Sequence, residues 1–251
     1  MRAMLRAALT AAIVLAPGVP ACADEQSEAL AVIDKAIKAM GGDQKVDSLK
    51  SAIYKAKGLA KDGGQDIQIE AEVSARGLGQ YRVDMEVNVQ GQSRKMLVVL
   101  NGEQGWMKTM DRVEDAPNGV AAAVQQAFLG PRTATLLSLL KDKETKLSPL
   151  GEVKVNDRPT LGIKVARKDF REFDLYFDKE SGLPVKCETR IMNPNGQEEG
   201  IEYEFSEPKE INGLKHFTKM VLKIKGPGTV EFELSELKAN EKLSDDLFTK
   251  P

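Results

Sequence analysis

The 251-residue sequence has two cysteines, one histidine, one tryptophan and few aromatic residues of any kind. Each scarcity removes a class of function. Cys22 lies near the start and Cys187 in the body of the chain, so no disulfide framework is expected to staple the fold. The single histidine, His216, cannot make a zinc site with a second imidazole, and no H-E-x-x-H motif occurs. With aromatics at 5% there is little to stack on sugar rings, which argues against a glycosidase despite plentiful carboxylates. The formal net charge of −2 carries no basic excess of the kind that binds nucleic acid. No uncharged run reaches the roughly 20 residues that a bilayer-crossing helix needs. The G-x-S-x-G elbow, the P-loop and G-x-G-x-x-G are also missing, so neither a hydrolase elbow nor a cofactor is expected.

What is present begins with a leader. Arg2 and Arg6 flank a short basic start, and residues 7–16 form an uncharged Ala/Leu/Ile/Val-rich run. Pro17-Gly18-Val19-Pro20 follows, and Ala21-Cys22-Ala23 gives an A-x-A cleavage pattern before Asp24. Basic, then apolar, then small residues is the layout of a secretory signal. Residues 1–23 are therefore expected to be removed, leaving residues 24–251 as one exported, periplasmic domain without a transmembrane segment. Val19-Pro20-Ala21-Cys22 loosely resembles a lipobox, which would instead anchor the chain through Cys22. Ala21 and Ala23 suit ordinary cleavage better.

Residues 27–40 place Leu30, Ile33, Ile37 and Met40 on one helical face, with Ser27 as N-cap and Gly41-Gly42 as the stop. A short turn of helix is expected at 44–49. From Ser51 the period becomes two. Ile67, Ile69, Ala71 and Val73 alternate with polar residues, as do Tyr81, Val83, Met85, Val87 and Val89. Residues 95–100 are apolar on both faces, and Asn101-Gly102 leads into Trp106 and a fifth strand. The middle changes character. Residues 118–129 read as helix, Gly130-Pro131 interrupts, and 133–140 resumes. Strands then return at 147–155, 161–167, 172–178, 185–191, 201–205, 220–224 and 230–234, with a helical turn near Asp245-Asp246 closing the chain. The reading is a mainly β, α+β chain with about eleven or twelve antiparallel strands and few crossovers. A curved sheet forming an unclosed half-barrel around a helical lid or plug fits this better than a two-sheet sandwich.

Four segments carry a resemblance. Asn101-Gly102-Glu103-Gln104-Gly105-Trp106 resembles a "DG…GW" hairpin. Residues 175–186 (LYFDKESGLPVK) resemble a "yfD-x-x-T-G-L-P-x-K" hairpin, and residues 205–214 (FSEPKEINGL) an "f-x-d-y-k-x-v-x-G-i" segment. Residues 239–251 (ANEKLSDDLFTKP) resemble a closing "N-x-x-l-x-d-x-l-F-x-x-P". Each is weak alone; four in order resemble the outer-membrane lipoprotein-sorting superfamily, the LolA/LolB-type half-barrels. His216-Phe217 departs from it, standing where many members place a proline. The resemblance implies an incomplete barrel with helices over an apolar cavity, and relatives that carry acyl chains or sense envelope components.

The expected function is non-catalytic binding or carriage of a lipid or of an acylated protein. The alternative is an envelope domain that docks a partner protein without carrying lipid. Expected cavity-lining residues are Ile69, Val83, Met85, Leu97, Val99, Phe173, Leu175, Ile201, Tyr203, Leu222 and Phe232, each of which could equally belong to a dry core. Trp106 either meets the ligand at the rim or caps the sheet edge. Residues 120–140 are either a lid hinged at Gly130-Pro131 or a fixed core helix. Cys187, in phase with Val185 and Ile191, is read as buried and inert, and His216, between lysines, as a surface residue.

Overall fold

The computed structural model describes residues 21–62, 65–116, 120–168, 170–192, 196–224 and 228–251. The leader up to residue 20 and the turn tips expected at 63–64, 193–195 and 226–227 lie outside the described residues, as do 118 and 119 at the start of the expected middle helix.

Helix α1 (Ala21–Met40) is followed by the short α2 (Asp43–Ser48). A first meander runs β1 (Ser51–Asp62), β2 (Gln65–Arg76), β3 (Gln80–Val89), β4 (Gln92–Asn101), β5 (Gln104–Thr109) and β6 (Arg112–Asp115). Helix α3 (Val120–Thr135) and a 3₁₀ turn (Leu137–Lys141) cross to the second meander. That meander comprises β7 (Lys146–Val155), β8 (Arg158–Arg167), β9 (Phe170–Asp178), β10 (Pro184–Met192), β11 (Glu198–Ile211), β12 (Leu214–Ile224) and β13 (Gly228–Ala239). A last 3₁₀ turn (Asp245–Phe248) ends it.

All thirteen strands form one antiparallel sheet, ordered β6-β5-β4-β3-β2-β1-β13-β12-β11-β10-β9-β8-β7 and not closed into a barrel. The two meanders meet where β1 pairs with β13, from Ala52 opposite Ala239 to Ala60 opposite Val230. Backbone bonds from Asn240 N to Ser48 O and from Glu241 N to Ser51 O extend that seam past the strand ends. Sequence dictates several of the hairpins directly. Gln90-Gly91, Asn156-Asp157 and Asn212-Gly213 all have positive φ and close two-residue turns, whose twist matches that of the flanking strands. The strand beyond the expected twelve is β6, whose four residues hold one apolar side chain, Val113, and therefore show no alternation.

The helix α1 begins at Ala21, so Ser27 is not its N-cap. Its first turns are held from outside instead: the Gln26 side chain accepts from Leu147 N at 2.7 Å and donates to Thr145 O. Ala29, Ile33, Ala36, Ile37 and Met40 form its buried stripe. At its end Gly42 N bonds back to Ile37 O. Gly41, at φ +118°, lies so close to the β11–β12 turn that a Cβ there would stand 2.4 Å from Gly213 O.

Gly130-Pro131 does not interrupt the middle helix, which runs through to Thr135. Proline at 131 cannot donate to the carbonyl of Ala127, four residues earlier. Tyr203 Oη on β11 donates to that carbonyl at 2.5 Å, so the bond lost within the helix is replaced from the sheet. Gly130 lets the helix backbone lie flat on β10 and β11, since a Cβ there would meet the Tyr203 ring at 2.8 Å and Cys187 Sγ at 3.2 Å. Helices α1 and α3 thus cover the concave face of the second meander, where Ile163, Val165, Phe173, Leu175, Cys187 and Ile201 form a solid core.

The convex face carries the charge. Lys55 with Glu72 and Glu236, Lys57 with Glu70, and Lys186 with Glu188 and Glu202 pair across strands. The Lys55 and Lys57 pairs, open to solvent, each contribute little to stability, while Lys186 is mostly buried between its two partners. Among the described residues no helix is long and apolar enough to cross a membrane.

Candidate ligand-binding cavity

The concave face of the first meander is less completely filled. Two of its cross-strand pairs on β1 and β2 are small with small, Ala52 opposite Ala75 and Ala56 opposite Ala71, with Tyr54 opposite Val73 between them. Alanine leaves the space above the sheet unclaimed, and α3 bridges it without filling it. The result is a cavity of about 260 Å³ between α3 and strands β1, β2, β3, β12 and β13. Its wall is almost wholly carbon: Val73, Val83 and Met85 on one side, Met220, Leu222, Phe232 and Leu234 on the other, with Phe128 and Pro131 of α3 above. Tyr81 stacks on Phe128 at a ring-centroid distance of 5.5 Å and donates its hydroxyl to Leu78 O, so its polar end is satisfied.

The expected lining residues separate into four groups. Val83, Met85, Tyr203, Leu222 and Phe232 line this cavity. Ile69 shares their face but stands one step beyond, against Gly58, over which the Phe232 ring lies. Phe173, Leu175 and Ile201 are also concave, but they are sealed in the core under the helices. Leu97, Val99 and Trp106 lie on the convex face. Val83 pairs with Val98 and Tyr81 with Leu100, so the concave residues of β4 are Met96, Val98 and Leu100. Because β4 is apolar on both faces, its alternation has no readable phase, and a shift of one residue reverses every side chain. Val99 is nevertheless fully buried. The C-terminal 3₁₀ turn packs on β3 and β4, with Phe248 under the Arg76 guanidinium at 4.9 Å. Trp106, beside Val99 in the ladder, is half-buried on that same side.

Two further residues differ from expectation or were missed. His216 is not on the surface: it is 3% exposed and lines the cavity. Alternation along β12 explains this: His216 is in phase with Leu214, Thr218 and Met220, which face inward, while Lys215 and Lys219 face out. Burial pushes its pKa down to about 4, helped by the nearby positive charge of Arg132 and opposed by the Phe217 carbonyl. Arg132, 4% exposed, was not anticipated. It donates to Leu49 O and Tyr54 Oη at 2.6 Å, to Gly77 O at 3.1 Å and to Lys50 O at 3.3 Å, tying α3 to the ends of β1 and β2. A signal was present, because Arg132 is the only charged residue between 118 and 140.

Helix α3 is held at its other end by Gln126, which donates to Thr189 Oγ1 at 2.7 Å and accepts from Arg171 N. Cys187 is fully buried beneath it, and burial pushes its thiol well above the usual range, so thiolate chemistry is suppressed. Among the described residues no three His, Cys, Asp or Glu side chains stand together as a metal site.

No family model matches the sequence, and no curated protein matches it. Solved structures do match over nearly the whole chain. A LolA superfamily protein from Nitrosomonas europaea is 13% identical with a TM-score of 0.57, covering 88% of this chain and 97% of its own. A DUF1329 family protein from Desulfovibrio piger is 14% identical, TM-score 0.54, over 88% of this chain and 97% of its own. A Vibrio parahaemolyticus domain named for outer membrane lipoprotein sorting is 13% identical, TM-score 0.52, over 90% and 97%. At such identities the likeness concerns architecture, and the architecture is LolA-like.

Proposed function

We propose that the protein is an exported binder or carrier of an acyl chain, held reversibly between α3 and the alanine-floored concave sheet and released without covalent chemistry. The observation that carries this reading is the carbon-walled cavity itself. Export rests on the basic, apolar and small-residue order of residues 1–23, and the LolA-like architecture supports an envelope role. The cavity's size limits the cargo. At about 30 Å³ per water-sized group it admits roughly nine, enough for one medium acyl chain. Nine methylenes at about 0.8 kcal/mol each gain about 7 kcal/mol, before the cost of association is subtracted. Binding through the chain alone is therefore weak and readily reversed. A longer chain, or an acylated protein with several, requires α3 to move.

The expected outcome is saturable, one-to-one uptake of a fluorescent fatty-acid analogue by the mature chain, residues 24–251. Ala71→Phe, which puts a ring into the cavity floor, should abolish that uptake while leaving the far-ultraviolet circular dichroism unchanged. Uptake that persists in folded Ala71→Phe would place the ligand elsewhere, and a native protein that takes up nothing would remove the reading.

A second reading, an envelope domain that docks a partner while α3 serves as its own plug, draws on the polar ties of α3 through Gln126, Ala127 and Arg132. It predicts partner binding that survives a disulfide locking α3 to the sheet.

A further inference from the structure

Polar groups stand just behind the carbon wall at one corner of the cavity. Tyr54, Arg132 and His216 meet there: the Arg132 Cζ lies 5.7 Å from the Tyr54 ring centre, and the Tyr54 and His216 rings are 6.1 Å apart. The hydrogen bonds of Arg132 all run to neutral oxygens, and among the described residues no carboxylate forms an ion pair with it. A buried positive charge without a counter-charge is costly.

The hydrogen inventory is also incomplete. A guanidinium has five N–H groups, and the bonds of Arg132 leave one on Nη1 unused. Tyr54 Oη accepts from Arg132, so its own hydrogen remains free to donate. His216 Nδ1 lies 2.5 Å from the Phe217 carbonyl, which can only accept, so Nδ1 carries the ring proton. The Nε2 of the neutral ring is then an acceptor, and it is buried with no partner. Anchoring α3 explains the carbonyl contacts of Arg132. It explains neither the uncompensated charge nor the bare Nε2.

A carboxyl group fits the corner in either protonation state. As a carboxylate it matches the guanidinium charge and accepts from Arg132 and Tyr54; as the acid it accepts from the same donors and donates its proton to Nε2. An ester or an alkane lacks both the charge and the proton.

Resting on the acyl-chain reading above, we propose that the Tyr54–Arg132–His216 corner is a head-group subsite that takes the carboxyl of a single-chain fatty acid. Its tail lies along Ala71, Val83, Leu222 and Phe232. Roughly nine water-sized groups of space correspond to a chain of about eight to ten carbons.

The test is calorimetric titration of the mature chain with decanoic acid and, in parallel, with methyl decanoate, which keeps the chain and removes charge and proton. The acid is expected to bind at least tenfold more tightly than the ester. Tyr54→Phe should lower acid affinity five- to tenfold and leave the ester's unchanged. Arg132→Gln should erase the difference between the two, and ester binding shows that each variant is still folded. Equal affinity of native protein for acid and ester overturns the subsite while leaving the chain-binding reading intact. A preference for the acid that neither substitution reduces also overturns it, by placing the carboxyl elsewhere. Binding of neither ligand overturns both readings.

Discussion

His216 couples the fold to pH. Free in the unfolded chain, its ring takes up a proton as pH falls through about 6.5; in the folded protein burial delays this to about 4. The unfolded state therefore binds more protons over that window, and stability present at neutral pH is lost as pH drops through it. With about 1.4 kcal/mol per pH unit, the His216 contribution between pH 7.5 and 4.5 amounts to about 2 to 3 kcal/mol. Urea midpoints at the two pH values should show a smaller difference in His216→Gln than in the native protein. An equal difference would mean that the carboxylates alone set the acid limb. The burial of this histidine is legible in alternation, since Lys215 and Lys219 are out of phase with it and Leu214 and Thr218 are in phase. Cys187 was legible from its alternation with Thr189 and Ile191, although β10 bulges at Val185.

At the scale of the element, α3 shows how a helix can contain a proline and remain whole. The Ala127 carbonyl freed by Pro131 is met by the Tyr203 hydroxyl, which lies on another element 76 residues away. Tyr203→Phe keeps the ring against Gly130 and removes that donor, leaving a buried carbonyl unpaired at a cost of about 1 to 3 kcal/mol. Hydrogen exchange should then speed up in residues 127–135 while β7–β9 stay protected; uniform acceleration would point to a global rather than a local effect. At the C-terminal end of α1, Gly41→Ala places a methyl against Gly213 O at positive φ and should destabilise by about 1 to 3 kcal/mol, measurable by thermal melting. Most strands and turns could be read because alternation and Asn-Gly-type pairs are local chemistry. The phase of β4 is obscured because both its faces are apolar, and β6 shows no alternation with one apolar residue, while the continuity of α3 depends on Tyr203, a partner distant in sequence that no local window contains. The cavity was legible only in part for the same reason. Val83, Met85, Leu222 and Phe232 face inward by alternation, but which stretch of the inward face stays open depends on where α3 lands.

For the whole molecule, the sheet is sealed on its concave side by helices and clamped on its convex side by the C-terminal turn. Phe248 is fully buried under Arg76, and Lys250 reaches Asp115 at 2.8 Å, so the tail ties β6 to the middle of the sheet. Phe248→Ala should cost about 3 to 5 kcal/mol in urea unfolding and shift the emission of Trp106, the only tryptophan, toward the red. The pairing of β1 with β13 has a kinetic consequence. Strand β13, late in the described chain, belongs to the centre of the sheet rather than its rim, so a nascent chain without it cannot complete the hydrogen-bond ladder. Local meanders can form early, but the long-range closure that joins them is a slow step of the kind that high contact order imposes. Until β13 pairs with β1, the two meanders remain separate and the sheet stays open at its centre.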